Sequence, residues 1–259
     1  MVFYLGTHEP SWLRRVPVPL FLSRRRLARL KTVPRAIAPW ALDSGGFSEL
    51  SLYGQWQTTP EQYADEVLRW SDQIGRLEWA AIQDWMCEPF MLAKTGLSVA
   101  EHQRRTIESY LALRQIAPTV TWAPVLQGWV PSDYVDHAAQ YESAGVDLSS
   151  LPRVGVGSVC RRQSTAAGIA IFEDLRHLHL RLHGFGLKMG FLRKAFALGL
   201  ESFDSLAWSF RARRHGKPMD GCTHKTCANC DRWAVAWREA IIGLGHRPKQ
   251  MLLSMGCRD

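Results

Sequence analysis

Eight short apolar runs recur along this chain, at residues 3–6, 19–22, 40–43, 79–83, 121–126, 153–156, 182–187 and 202–206. Several are continuously apolar rather than alternating, as parallel strands buried on both faces are. Amphipathic stretches separate them and carry helix-start signals. Thr59-Pro60-Glu61-Gln62 combines an N-cap, a proline at the first helical position and a capping-box Gln. Ser98-Val99-Ala100-Glu101 reads as a second capping box, and Ser132 as the start of a third helix with Gly145 at its end. Eight strands alternating with helices over about 250 residues predict a (β/α)8 barrel, with a doubly wound open sheet as the alternative. The first connection, residues 8–18, is short and proline-rich, so a full helix is not expected there. Nothing in the 259 residues marks a linker, and one barrel domain over 1–259 is expected.

On a barrel the C-terminal ends of the strands share one face, where active sites sit. Three of the runs end in a carboxylate: Asp43, Asp84 and Asp204. Others end in Gln127, Gly155 or Gly186, so all six are expected to converge. Asp43 precedes Gly45 and Gly46, and glycine lets a flat ligand approach the backbone closely. Taken alone, the same segment reads first as a tight turn with an Asp cap. A Gln at a strand end can read the amide edge of a purine-like base, and Gly155 can offer an N–H to a carbonyl. Each of these, taken alone, is first a matter of loop geometry.

Near the C-terminus, Cys222, Cys227 and Cys230 form a Cys-x4-Cys-x2-Cys knuckle. Three of the six cysteines within nine residues point to a reducing compartment and a bound metal, not to disulfides. Zinc closes tetrahedrally over such a turn. The expected fourth ligand is His246, folding back after the helix that starts at Asp231; His224 and Cys257 compete with it.

The net charge is +8, and the excess lies in arginine clusters such as 24–26 and 211–214. Arginine suits forked contacts to phosphate, so a polyanionic partner is expected; an arginine-rich genome explains the same count. No apolar run reaches the roughly 20 residues of a membrane span, and the N-terminus does not read as a signal peptide. A cytoplasmic location is expected.

Taken together, these segments resemble the tRNA-guanine transglycosylase superfamily over most of the chain. Asp43-Ser44-Gly45-Gly46-Phe47 resembles its general acid/base segment, and Asp84 its base-recognition acid. Leu126-Gln127-Gly128 is similar to the segment whose Gln binds the purine edge, and Val154-Gly155-Val156-Gly157 to the glycine-rich strand contacting the base. His183-Gly184-Phe185-Gly186 is similar to the strand carrying Gly-x-Gly. Asp204, followed by Ala212-Arg213-Arg214-His215-Gly216, resembles the nucleophile segment, and the knuckle resembles the family's zinc site. The chain is shorter than tRNA-modifying members, and 205–211 lack the family's Pro-Thr-Arg. That compact form resembles the DNA-directed branch, the deazapurine-in-DNA proteins or DNA-guanine transglycosylases.

The resemblance implies exchange of guanine in DNA for a 7-deazaguanine of the preQ0 kind. It implies Asp204 as nucleophile and Asp43 as acid/base. Asp84, Gln127, Gly155 and Gly186 would hold the base, Arg211, Arg213 and Arg214 the flanking phosphates, and zinc would be structural. Accessory proteins are possible partners. The alternatives are a tRNA-directed transglycosylase, a non-catalytic zinc-bearing nucleic-acid-binding subunit and a barrel glycoside hydrolase.

Overall fold

The computed structural model describes residues 1–160, 166–188, 191 and 197–245. Its strands are β1 (Val2–Thr7), β2 (Leu20–Ser23), β3 (Trp40–Asp43), β4 (Leu77–Ala81), β5 (Trp122–Ala123), β6 (Val125–Leu126), β7 (Val154–Val156), β8 (Leu182–Gly184) and β9 (Ser202–Ser205). All neighbours are parallel, in the order β5-β4-β3-β2-β1-β9-β8-β7-β6. β5 and β6 are two halves of one run, split at Pro124, which has no N–H to give to a ladder. One half pairs with β4 through Ala80↔Trp122, the other with β7 through Leu126↔Val156. The Pro124 carbonyl still accepts the Gly155 N–H at 2.8 Å. The sheet therefore starts and ends in the same run, and the expected barrel closes with that single break.

Alternate residues of the strands enter two different cores. Tyr4, Phe21, Ala41, Trp79, Ala81 and Ala123 pack together inside the barrel. Their neighbours Phe3, Leu5, Leu20, Leu22, Trp40, Leu42 and Ala80 join the larger core between strands and helices. This is the period-2 alternation of strand side chains, and it makes the barrel interior a packed core rather than a pore.

The helices follow the same logic. Thr59 caps the helix Pro60–Ile74 through the expected reciprocal box with Gln62. That helix buries Tyr63, Val67, Trp70 and Ile74. Each such burial contributes about 2 kcal/mol, against about 1 kcal/mol for a cap, so burial fixes the facing and the cap only the start. Before Val99–Ile116, Ser98 accepts the Glu101 N–H at 3.2 Å. The reciprocal half of the box does not form, because the Glu101 carboxylate instead accepts from Arg104 and Arg105. The third helix opens at Pro131, not Ser132. Asp133 reaches back to accept the N–H groups of Trp129 and Val130 at 2.7 and 2.9 Å, and so sets the start one residue earlier. The 8–18 connection holds only the short turn Pro10–Arg14.

The run expected to continue to residue 83 leaves the barrel wall at Ala81. There the Tyr63 hydroxyl donates to the Ala81 carbonyl at 2.7 Å, and the Gln83 amide donates to the Thr58 carbonyl at 2.8 Å. Asp84 thus sits on a loop held by side-chain bonds. Among the described residues, no helix is long and apolar enough to cross a membrane.

Candidate active site at the barrel mouth

A cavity of about 390 Å³ opens at the C-terminal ends of the strands, within the usual size of a small-molecule pocket. Asp43, Asp84, Gly186 and Asp204 all line it. Thr7, His8, Phe21, Ser23, Phe47, Glu88, Ser158, Cys160 and Phe185 complete much of the wall. Four of these lining side chains are carboxylates.

Asp43 ends β3. Gly45 then adopts φ 80°, a left-handed conformation that glycine takes without strain, and the helix Gly46–Tyr53 begins. This turn aims the Gly45 N–H at Asp43, which the Ser23 hydroxyl also contacts. Burial outweighs both donors and pushes the Asp43 carboxyl up to about 6, with the Asp204 charge adding to it. Asp84 is pushed up to about 7, first by burial and then by the Asp43 charge. Asp204 also rises to about 7 through burial, although the Gly186 N–H donates to its Oδ1 at 2.8 Å. Gly186 has φ 59°, and a Cβ there would lie 2.9 Å from the Cys160 sulfur.

Gln127 and Gly155 are close by but outside the cavity wall. The fully buried Gln127 amide donates to Asp84 Oδ2 from behind, and its Oε1 lies 2.7 Å from the Ser158 hydroxyl. A Cβ on Gly157 would lie 2.2 Å from the Gln127 side chain. At Gly155 a Cβ would lie 2.4 Å from the Phe185 ring. Its bare backbone therefore makes room for an aromatic wall of the cavity.

The sequence reading missed Glu88 and Ser158. Ser158 is a left-handed non-glycine residue, φ 53°, directly after the glycine-rich strand. Its hydroxyl accepts the Cys87 N–H at 2.8 Å and lies 2.9 Å from the Glu88 carboxylate. Gly-Ser after a buried strand was the available signal. Glu88 precedes the helix Pro89–Thr95, and no motif in the sequence marked it.

Arg211, Arg213 and Arg214 lie exposed on the helix Ala207–His215, which directly follows Asp204. Arg213 is within electrostatic reach of His8 on the cavity wall, whose imidazole is lowered first by burial and then by Arg26, with Glu9 opposing and Arg213 adding a smaller effect. Arg214 lies over the exposed Phe210 ring at 5.5 Å.

In the knuckle, Cys222, His224, Cys227 and Cys230 bring their ligand atoms within 4.8 Å of one another. His224 Nε2 lies 3.2 Å from Cys227 Sγ, and Cys222 Sγ lies 4.0 Å from Cys230 Sγ. Zinc–sulfur bonds of about 2.3 Å in a tetrahedron put sulfurs roughly 3.8 Å apart, so the cluster fits a zinc ion. The fourth donor in the described cluster is His224. His246 and Cys257 lie outside the described residues. The knuckle packs on Ala212 and Trp233, and Ser209 donates to the Ala228 carbonyl at 2.7 Å. It thereby fastens the helix after Asp204 to the last helix, Asp231–Gly245.

A family model described as DpdA, deoxypurine in DNA protein A, matches residues 1–253. Curated proteins give no match.

Proposed function

Because this chain belongs to the DpdA family, deoxypurine in DNA protein A, and so has a role in deazapurine modification of DNA, we propose that it exchanges guanine in DNA for a 7-deazaguanine derivative. The observation that carries this reading is the convergence of Asp43, Asp84 and Asp204 in one cavity at the barrel mouth. An oxocarbenium-like transition state needs carboxylates, and two of them divide the work in retaining sugar chemistry.

In the first half-reaction an Asp204 oxygen attacks C1′ of a nucleotide that has left the helix stack. The C1′–N9 bond breaks, its electron pair goes to guanine N9, and Asp43 supplies the proton. In the second half the incoming base gives its ring N–H proton to Asp43 and attacks C1′. The sugar–Asp204 bond breaks and its pair returns to the carboxylate. A carboxyl held near 6 suits a group that both gives and takes a proton near neutrality. Asp84 accepts from the donor edge of either base, and Gln127 acts through Asp84 by holding it. Gly155 contributes by admitting Phe185, and Gly186 by its N–H to Asp204.

Zinc on Cys222, His224, Cys227 and Cys230 would supply structure and no reaction step, since four protein ligands leave no open position. Arg211, Arg213 and Arg214, exposed on the helix after Asp204, would hold the flanking phosphates.

The test is direct. The protein is incubated with DNA, tRNA and a 7-deazaguanine base, and the nucleosides of each polymer are analysed by mass spectrometry. Deazaguanine in DNA with release of guanine is expected. Incorporation only into tRNA removes the DNA assignment, and incorporation into neither removes the exchange reaction.

A further inference from the structure

The barrel axis carries a chain of polar contacts that the reaction above does not use. At its base, Arg153 donates through Nη1 to the Ser202 hydroxyl. That hydroxyl lies 2.8 Å from His183 Nδ1. The opposite ring nitrogen, His183 Nε2, faces Asp204 Oδ1 at 3.4 Å and has no hydrogen-bond partner among the described residues. Ser202 and Asp204 are two residues apart on β9, so both point into the barrel. His183 is fully buried within the rings of Trp79, Phe21, Phe185 and Tyr4.

We propose that His183 is a positioning residue for Asp204: it donates Nε2–H to Oδ1 and leaves Oδ2 as the oxygen that bonds to the sugar. The inference rests on the exchange reaction proposed above. The guanidinium is always a donor, so it turns the Ser202 proton toward His183 Nδ1. The single proton of the neutral ring then sits on Nε2. Gly186 donates to the same Oδ1 at 2.8 Å. Two donors on one oxygen hold the carboxylate plane and make the other oxygen the free one. Burial and the Arg153 charge keep the imidazole neutral, so it does not cancel the charge of the nucleophile. Among the described residues, the charged or titratable groups around the chain are Arg153, Tyr4 and its acceptor Glu78 below, and Asp204, Cys160 and Asp43 above.

When the sugar–Oδ2 bond breaks in the second half-reaction, the returning pair makes the carboxylate again. The Nε2–H stabilises that charge. Its loss therefore makes Asp204 harder to ionise and a poorer leaving group.

The experiment compares wild type with His183→Leu, His183→Gln and Ser202→Ala. The Asp204 carboxyl is followed by ¹³C NMR titration, and exchange into DNA by its pH profile. In His183→Leu the Asp204 titration and the basic limb of the rate, which Asp204 sets because its carboxyl lies above that of Asp43, should both move up by about one pH unit. Single-turnover rates at pH 6 should fall roughly tenfold, with DNA affinity unchanged. Ser202→Ala should move both in the same direction by less. His183→Gln keeps a side-chain N–H and should lie nearer wild type. Melting curves and DNA binding identify a variant that has lost its fold, and Ser202→Ala then carries the test. An unmoved Asp204 titration in folded His183→Leu or Ser202→Ala overturns the proposal. A shifted titration in a protein that exchanges no base leaves the His183 contact standing and removes the exchange reaction instead.

Discussion

Gln127 holds Asp84 from behind: its buried amide donates to Oδ2, the carboxylate oxygen that Ser44 does not contact. Ser44 approaches Oδ1 at 3.4 Å from the other side. Asp84 is thus fixed between two side chains while it lines the cavity. Replacing Gln127 by Leu should act through Asp84. Selection between guanine and other purines should weaken, and kcat/KM should fall about ten- to a hundredfold, the cost of a lost buried hydrogen bond to a charged group. Asp84→Ala added to Gln127→Leu should cost little more than Asp84→Ala alone. Steady-state kinetics on the four proteins measure this, and fully additive losses would show that Gln127 acts independently.

The pH dependence follows from two carboxyls with different tasks. Asp204 must be ionised to attack, and Asp43 must be protonated to assist guanine departure. Their values of about 7 and about 6 predict a bell-shaped kcat/KM with its maximum between them. Only a minority of molecules then carries the productive arrangement. A rate that climbs to a plateau at high pH would remove Asp43 as the acid.

Asp204→Asn should abolish exchange and raise stability. Burial holds the folded Asp204 carboxyl near 7, far above its value of about 4 in the unfolded chain. The folded state therefore binds that proton more tightly, and the cost builds up as pH rises from about 4 to about 7 and is complete above it. At pH 8 the Asn variant should melt higher than wild type, by an amount corresponding to a few kcal/mol. The gap should close as pH falls from 7 toward 4. Paired melting curves across that range test it; a constant gap would mean that the effect is not titration of Asp204.

Metal removal should loosen the connection between the helix Ala207–His215 and the last helix. Elemental analysis should find one zinc per chain, and Cys230→Ser or a chelator should lower the melting temperature. Cys227 and Cys230 are buried while His224 is exposed, so His224→Ala should be milder than either cysteine change. Exchange should be lost only to the extent that the protein unfolds. Prompt loss of exchange on chelation, with melting unchanged, would assign zinc a chemical task.

Arg213→Ala should weaken DNA binding across many sequences alike, because phosphate contacts position the strand without reading it. It should also flatten the dependence of log affinity on log salt by about 0.9 for each lost contact. Titrations at three salt concentrations measure the slope; an unchanged slope would place Arg213 away from the phosphates.

Much of the framework was legible in the chain itself. Burial on both faces leaves continuous apolar runs, so the eight strands and their parallel order were readable, as was the carboxylate at the end of β3. Thr59 and Gln62 marked a helix start because capping is a local interaction. The three cysteines marked a knuckle that fits a metal, because a tetrahedral site closes over a short turn. Tertiary closure decided the rest. It moved Asp84 onto a loop, because Tyr63 and Thr58 draw the chain away after Ala81. It put Gln127 behind Asp84 rather than on the cavity wall, brought Glu88 and Ser158 into the site, and set His183 below Asp204. It also gathered His224 with the three cysteines. Gln127 and Asp84 are 43 residues apart, and Ser158 and Cys87 are 71. Periodicity reports how deeply a residue is buried; which side chain meets which across the barrel depends on ring closure and on the inward turn of each strand end, and no local pattern records either.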